Sequence, residues 1–208
     1  MRDTVRAAAL ATVLIGWSAL STRIPARWHP LPHILFGTAL AALTGAPLGL
    51  RPPAVWAGLR TGAAAAAPVL VGVAASTAIP PVRNGMASRT LPSSTSRWLL
   101  LRIPLGTVWS EEAAYRAALG TAAAGAFGEQ GGRLFTAAVF GLSHIPDARA
   151  VGEPVLPTVA VTGVAGWAFG WLFARSGSLV APMLAHASVN GAGAVAALAV
   201  QRRRPRRG

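Results

Sequence analysis

WLLLRIPLGTVWSEEAAYRAALGTAA, residues 98–123, is apolar along nearly its whole length yet carries Glu111, Glu112 and Arg116 at its middle. The chain has only six acidic residues, and two of them stand side by side here. An ionisable side chain at bilayer depth costs at least roughly 2.5 to 3.5 kcal/mol, so such groups face a bundle interior or a wet cavity and mark function. Residues four apart share a helix face, so Glu112 can pair with Arg116 while Glu111 points about 100 degrees away. A buried ion pair that fixes helix packing accounts for Glu112 and Arg116. Glu111 has only Thr107, Ser110 and Tyr115 as neutral neighbours on its side, which favours a proton-shuttling role.

The rest of the composition agrees that the solvent is lipid. Hydrophobic residues make up 53% of the 208, charged residues only 12%, and 23 glycines and 16 prolines are scattered through the apolar runs. A soluble domain of this length could not bury that much apolar surface in one core. Candidate spans lie at 7–22, 31–50, 61–80, 98–123, 133–146, 156–174 and 178–200. The expected fold is therefore all-α, a polytopic membrane helix bundle of about seven transmembrane helices, with six to eight admissible. Arg2 and Arg6 precede the first apolar run in the manner of a signal peptide. Gly16, Trp17 and Ser18 offer no small-residue cleavage site, so the segment is read as a retained helix.

Charge fixes orientation and excludes one class of partner. The net charge is +13, and all 19 basic residues are arginine, a usage that fits a GC-rich bacterial genome. Their positions are segment ends and short loops, densest in a tail at 201–208, with no basic helix or aromatic stacking platform, so nucleic acid is not expected as a partner. With seven spans, eleven arginines fall on the side of the tail and six on the other. The positive-inside rule then places the C-terminus in the cytoplasm, and the expected location is a bacterial plasma membrane. The Pro-, Ser- and Arg-bearing stretch from Pro81 to Arg97 reads as a loop. It divides N-terminal helices (1–97) from a chemical half (98–200) ahead of the basic tail, all within one integral-membrane domain. Cysteine is absent, which removes disulfides, thiol nucleophiles and thiolate metal sites.

Two later apolar segments carry polar groups at matching depth. His144 follows Phe140 by four residues just ahead of Pro146, where a hydrogen-bonded structural histidine is the plain alternative to a catalytic one. His186 and Asn190, also four apart, project from one helix face with no other strong polar group nearby, and two donors aimed at one point suit a developing oxyanion. His29 and His33 flank Pro30 and Pro32 at a membrane edge and read as interfacial, snorkelling groups. Gly166 and Gly170 form a small-residue spacing that reads as a helix-packing contact.

Glu-Glu-x-x-x-Arg at 111–116, Phe-x-x-x-His at 140–144 and His-x-x-x-Asn at 186–190, in that order on apolar segments, resemble the CAAX protease and bacteriocin-processing family. This family is also called Abi or CPBP, and it includes the type II CAAX prenyl endopeptidase. The resemblance runs from Trp98 to about Gly193 and takes in the GSLVAPMLAH run at 177–186; Tyr115 stands where a Phe often precedes the Arg. It implies an intramembrane endopeptidase that hydrolyses a peptide bond of a membrane-embedded or lipid-anchored protein or peptide. Glu111 with His144 would activate a water, His186 and Asn190 would stabilise the oxyanion, and Glu112 and Arg116 would support them. Family members have been described both as metalloproteases and as metal-free, so a divalent cation such as zinc on Glu111, His144 and His186 stays open; no other cofactor is implied. Two other classes compete. One is a non-catalytic membrane regulator or immunity-type partner that keeps the cluster for folding; the other is a small transporter using Glu111 as a proton site, disfavoured by the lack of repeat symmetry.

Overall fold

The computed structural model describes residues 1–25 and 27–203; the arginines at 204, 206 and 207 lie outside the described residues. Among the described residues every regular element is helical. The order is α1 (Arg2–Ser21), α2 (Pro30–Thr44), α3 (Ala54–Ser76), α4 (Pro80–Ser88) and α5 (Thr95–Arg97), then the wide-turn segments π1 (Trp98–Trp109) and π2 (Glu112–Leu119). They are followed by α6 (Gly120–Leu142), α7 (Ile145–Val151), α8 (Val155–Ser176) and α9 (Val180–Arg202).

Four helices, α1, α3, α8 and α9, are long and apolar enough to cross a membrane. Two local features separate this figure from the seven apolar segments in the sequence. First, α2 has only 15 residues, because Gly45 takes a left-handed φ of 62° and caps it. The Ala46 N–H then returns to the Ala41 carbonyl, which closes the last turn. Second, the runs at 98–123 and 133–146 belong to one helical stretch interrupted at Gly128, whose φ of 73° and ψ of 171° are open essentially to glycine alone. The two limbs fold against each other there. A Cβ on Gly132 would sit 2.5 Å from the Ala124 nitrogen.

The helix that carries the two glutamates is wound wider than an α-helix on both sides of Ser110 and Glu111. Pro104 explains the first part, since it has no N–H and its ring crowds the carbonyl one turn back, and a wider turn relieves both. We find no equivalent sequence cause for π2. The stretch expected to be a loop also differs in part, because α4 occupies Pro80–Ser88. Paired prolines open it where the first helical N–H groups have no partner in any case. Its end is tied to α9 by the Gln201 side-chain amide, which donates to the Met86 and Arg89 carbonyls at 3.0 and 2.7 Å.

Small residues let the backbones close up, as association in lipid requires when helix burial gains nothing over lipid contact. Gly58 lies on Ser178 and Gly62 on Ala181 where α3 meets α9, and Gly141 lies on the Val159 carbonyl where α6 meets α8. Gly166 faces Phe140 and Gly170 faces Arg133, as packing positions should. Ala11 and Leu14 of α1 pack with Ala114, Tyr115, Leu119, Val139 and Phe140. On the other side α2 runs along the glutamate helix, with Gly37 pressed on the Ser110 backbone and Trp109 Nε1 donating to Thr38 Oγ1 at 2.9 Å. The acidic centre is thus enclosed by α1 and α2 as well as by α6, α8 and α9.

Candidate active site

Glu112 and Arg116 are completely enclosed, at 0% and 1% relative exposure. Glu112 Oε2 lies 3.1 Å from Arg116 Nε, an ion-pair distance, although the angle there does not make a hydrogen bond. The guanidinium is held by aromatic faces instead. Its carbon lies 4.1 Å from the Phe140 ring centroid, 5.1 Å from Phe169 and 5.9 Å from Tyr115. Cation–π contacts out of water are worth about 2 kcal/mol, so these rings offset part of the desolvation of Arg116.

The second carboxylate oxygen, Glu112 Oε1, accepts a 2.7 Å hydrogen bond from His186 Nδ1. That bond fixes the imidazole, and Phe169 stacks on its face at 4.9 Å with 21° between planes. His186 Nε2 consequently points outward, 3.9 Å from Glu111 Oε2. Glu111 is the looser acid. Its side chain is 28% exposed, while its Oε2 is buried and has no hydrogen-bond partner. Adjacent in sequence, the two glutamates have been given opposite circumstances: one is locked between a guanidinium and an imidazole, and the other presents an unengaged oxygen to that imidazole.

His144 caps the start of α7 and is half-buried. Its Nδ1 lies 2.7 Å from the Phe140 carbonyl, which can only accept, so Nδ1 carries the proton and Nε2 the lone pair. The Phe140 ring meets His144 edge-on at 4.7 Å and His186 at 6.4 Å, and so stands between the two imidazoles. Asn190, one turn past His186 on α9, is half-buried, and its carboxamide makes no hydrogen bond to a described residue.

A catalytic zinc would take three protein ligands and keep an open position. Among the described residues no three His, Cys, Asp or Glu side chains gather so as to hold a metal ion, so Glu111, His144 and His186 do not form that set as they stand. A groove of about 660 Å³ lies elsewhere, between α3 and α9, lined by residues such as Leu70, Val73, Leu184, Gly191 and Val195. It contains none of the polar site residues, and we assign it no part in the chemistry.

His29 and His33, half-buried at the start of α2, also pack against their neighbours. They stack on each other at 4.0 Å, His33 meets Trp17 edge-on at 5.4 Å, and the His29 ring lies against Gly106 of the glutamate helix. Burial, helped by His33 and Arg102, lowers the His29 pKa to about 3, so this residue is neutral. Asp147 of α7 lies at the same end, where desolvation raises its pKa against the pull of His144, His33 and Arg102. Sequence reasoning missed this group, as it missed Phe169. The signal was the four-residue recurrence of His29, His33 and Gly37, which is one helix face.

A family model described as type II CAAX prenyl endopeptidase Rce1-like matches residues 93–192. Over those residues the chain is similar to the CAAX protease family. The matched stretch runs from the loop before π1 through Asn190, so it contains both glutamates, Arg116, His144 and His186. No curated protein and no solved structure matches the chain. That similarity, together with four apolar helices of spanning length, supports a membrane protein of a peptide-hydrolase class.

Proposed function

We propose that the protein is an intramembrane endopeptidase in which Glu111 is the general base. The observation that carries this reading is the unpartnered, buried Glu111 Oε2 facing an imidazole whose other nitrogen is fixed by Glu112. A base needs a free lone pair within reach of the proton it removes, directly or through one water, and this oxygen has one.

In the proposed reaction Glu111, with His144 Nε2 accepting the second hydrogen, takes a proton from a water whose oxygen bonds to the scissile carbonyl carbon. His186 works as an imidazolium. Two carboxylates then face two cations, Arg116 and His186, and the enclosed cluster is electrically neutral, as a low-dielectric site requires. Nε2–H of His186 and the Asn190 carboxamide donate to the oxyanion, a stabilisation that grows only as charge develops. Collapse breaks the C–N bond, and the proton held by Glu111 goes to the leaving nitrogen. The reacting groups all lie within 98–200, while 1–97 walls the site. The substrate is a membrane-embedded or lipid-anchored protein or peptide, met in a bacterial plasma membrane with the C-terminus in the cytoplasm.

The test uses protein reconstituted in liposomes with an internally quenched, farnesylated Cys-aliphatic-aliphatic-X peptide. Wild type should cleave it, and Glu111→Gln should not, with thermal stability unchanged. Cleavage by Glu111→Gln at the wild-type rate would remove Glu111 as the base.

A further inference from the structure

His186 is tied to the acidic centre by one hydrogen bond. Its Nδ1–H donates to Glu112 Oε1 at 2.7 Å, and Nε2 lies 3.9 Å from Glu111 Oε2. A single hydrogen bond leaves the ring free to turn about the line of that bond, and the last torsion of a histidine is broad. The bond by itself therefore does not settle where Nε2 points. Phe169 of α8 supplies the second constraint. Its ring lies along the imidazole face, with centroids 4.9 Å apart and planes 21° apart, which is the geometry of an offset stack. Phe140 meets the same imidazole edge-on, at 6.4 Å and 89°, and closes its flank without lying along its plane. The Phe169 ring is also 5.1 Å from the guanidinium carbon of Arg116, so one aromatic side chain borders both basic partners of Glu112. Phe169 has little room to swing. It is buried in a cluster with Leu172, Ala181 and Ala185, against which Ala65 of α3 and Ala165 pack. Ala185 is the residue next to His186, so the packing that seats the Phe169 ring also seats the backbone that bears the imidazole.

We propose that Phe169 is a positioning residue for the oxyanion donor: its face contact fixes the plane of the His186 ring, so that Nε2–H is aimed at the oxyanion before charge develops there. The inference rests on the hydrolytic reading of Glu111 and His186, and adds to it a residue of α8 that takes part in no bond change. A donor held in place beforehand costs no reorganisation at the moment of reaction, which is what makes such donors effective. The hydrogen bond to Glu112 sets the position of one ring atom, and the stack on Phe169 sets the plane; together they leave the imidazole one orientation. Leucine at 169 would stay apolar and fill much of the space, but it has no flat face. The ring would then turn on its hydrogen bond and carry Nε2–H off line. A misplacement of about 1 Å is enough to cost about 100-fold in rate.

The experiment compares wild type, Phe169→Leu, Phe169→Tyr, Leu172→Ala and Glu111→Gln in liposomes, on the same farnesylated peptide. Tyr keeps the flat face, and Leu172→Ala loosens the same apolar cluster without removing the stack. The proposal expects kcat to fall by about 10- to 100-fold in Phe169→Leu, with KM within about twofold. Phe169→Tyr should recover most of that loss, and Leu172→Ala should melt lower yet keep the wild-type kcat. A second measurement uses the phosphinic analogue of the peptide, in which a tetrahedral phosphinate stands in place of the scissile amide. This probe carries its charge where the oxyanion forms, so its inhibition constant should rise in Phe169→Leu by the factor that kcat loses. Wild-type kcat in Phe169→Leu, a loss confined to KM, or an unchanged inhibition constant overturns the proposal and leaves Glu111 as the base. An equal loss of kcat in Phe169→Tyr or in Leu172→Ala also overturns it, because the effect would then be one of packing alone. Should Phe169→Leu not fold, Phe169→Met fills the space without a flat face and is judged by the same outcomes. An active Glu111→Gln sinks the hydrolytic reading itself.

Discussion

Arg116→Ala removes the one cation that faces Glu112 from the same helix, and the structure sets the size of the effect. Both partners are sealed from solvent, at 0% and 1% exposure, so no screening discount applies to the 3.1 Å pair. Deleting one member of a buried pair leaves an uncompensated charge and costs about 3 to 5 kcal/mol. The guanidinium also leaves a gap against Phe140 and Phe169. For a chain of 208 residues each kcal/mol moves the melting midpoint by about 2 to 4 °C, so Arg116→Ala should melt roughly 6 to 20 °C lower in detergent. Glu111→Gln, measured beside it, should melt with wild type. The double variant Glu112→Gln/Arg116→Met separates charge from volume, because replacing both members of a buried pair is often neutral or stabilising. Wild-type melting of Arg116→Ala would refute the reasoning. Equal losses in the single and double variants would assign the effect to packing on the two phenylalanines and not to charge.

Asn190→Ala should lower kcat by about 100- to 1,000-fold with KM little changed, as loss of one oxyanion donor does; an effect on KM alone would make Asn190 a substrate-binding group. Gly37→Ala should destabilise by about 1 to 3 kcal/mol and depress turnover, because the added methyl collides with the Ser110 backbone and pushes α2 from the helix that bears Glu111. Unchanged melting and turnover would show that the contact yields freely. Asp147 supplies a pH prediction with a definite sign. Its folded pKa is raised above 3.8, so the folded state holds that proton more tightly than the unfolded chain, and stability falls as pH rises from 3.8 through the raised value. Asp147→Asn should flatten that slope and raise the melting midpoint at neutral pH, and an unaltered slope in a pH series of melting curves would exclude it.

Some of this protein was legible from sequence because the physics involved is local. An apolar run in lipid must satisfy its own backbone, which makes it helical whatever its neighbours are. Four-residue spacing brings Glu112 to Arg116 and lines up His186 with Asn190 before any tertiary contact forms. Charged residues at that depth declare themselves by their cost. The order of the three motifs likewise placed the chain beside the family that its residues 93–192 match.

Other features depend on distances between segments far apart in the chain, and spacing says nothing about those. Whether an apolar segment reaches spanning length depended on Gly45, which stops α2, and on Gly128, which folds one helical stretch into two limbs. The division of labour between Glu111 and Glu112 was half visible: Arg116 claimed one of them, but only the approach of α9 gave His186 to Glu112 and left Glu111 Oε2 without a partner. Phe169 looks like any apolar residue of α8 until α9 brings His186 onto its face. His29 and His33 read as edge residues because they flank two prolines, and only the tertiary structure showed what they pack against. Gly37 and Gly106 have no side chains to hold the two helices apart, so α2 settles on the glutamate helix and carries its histidines inward with it.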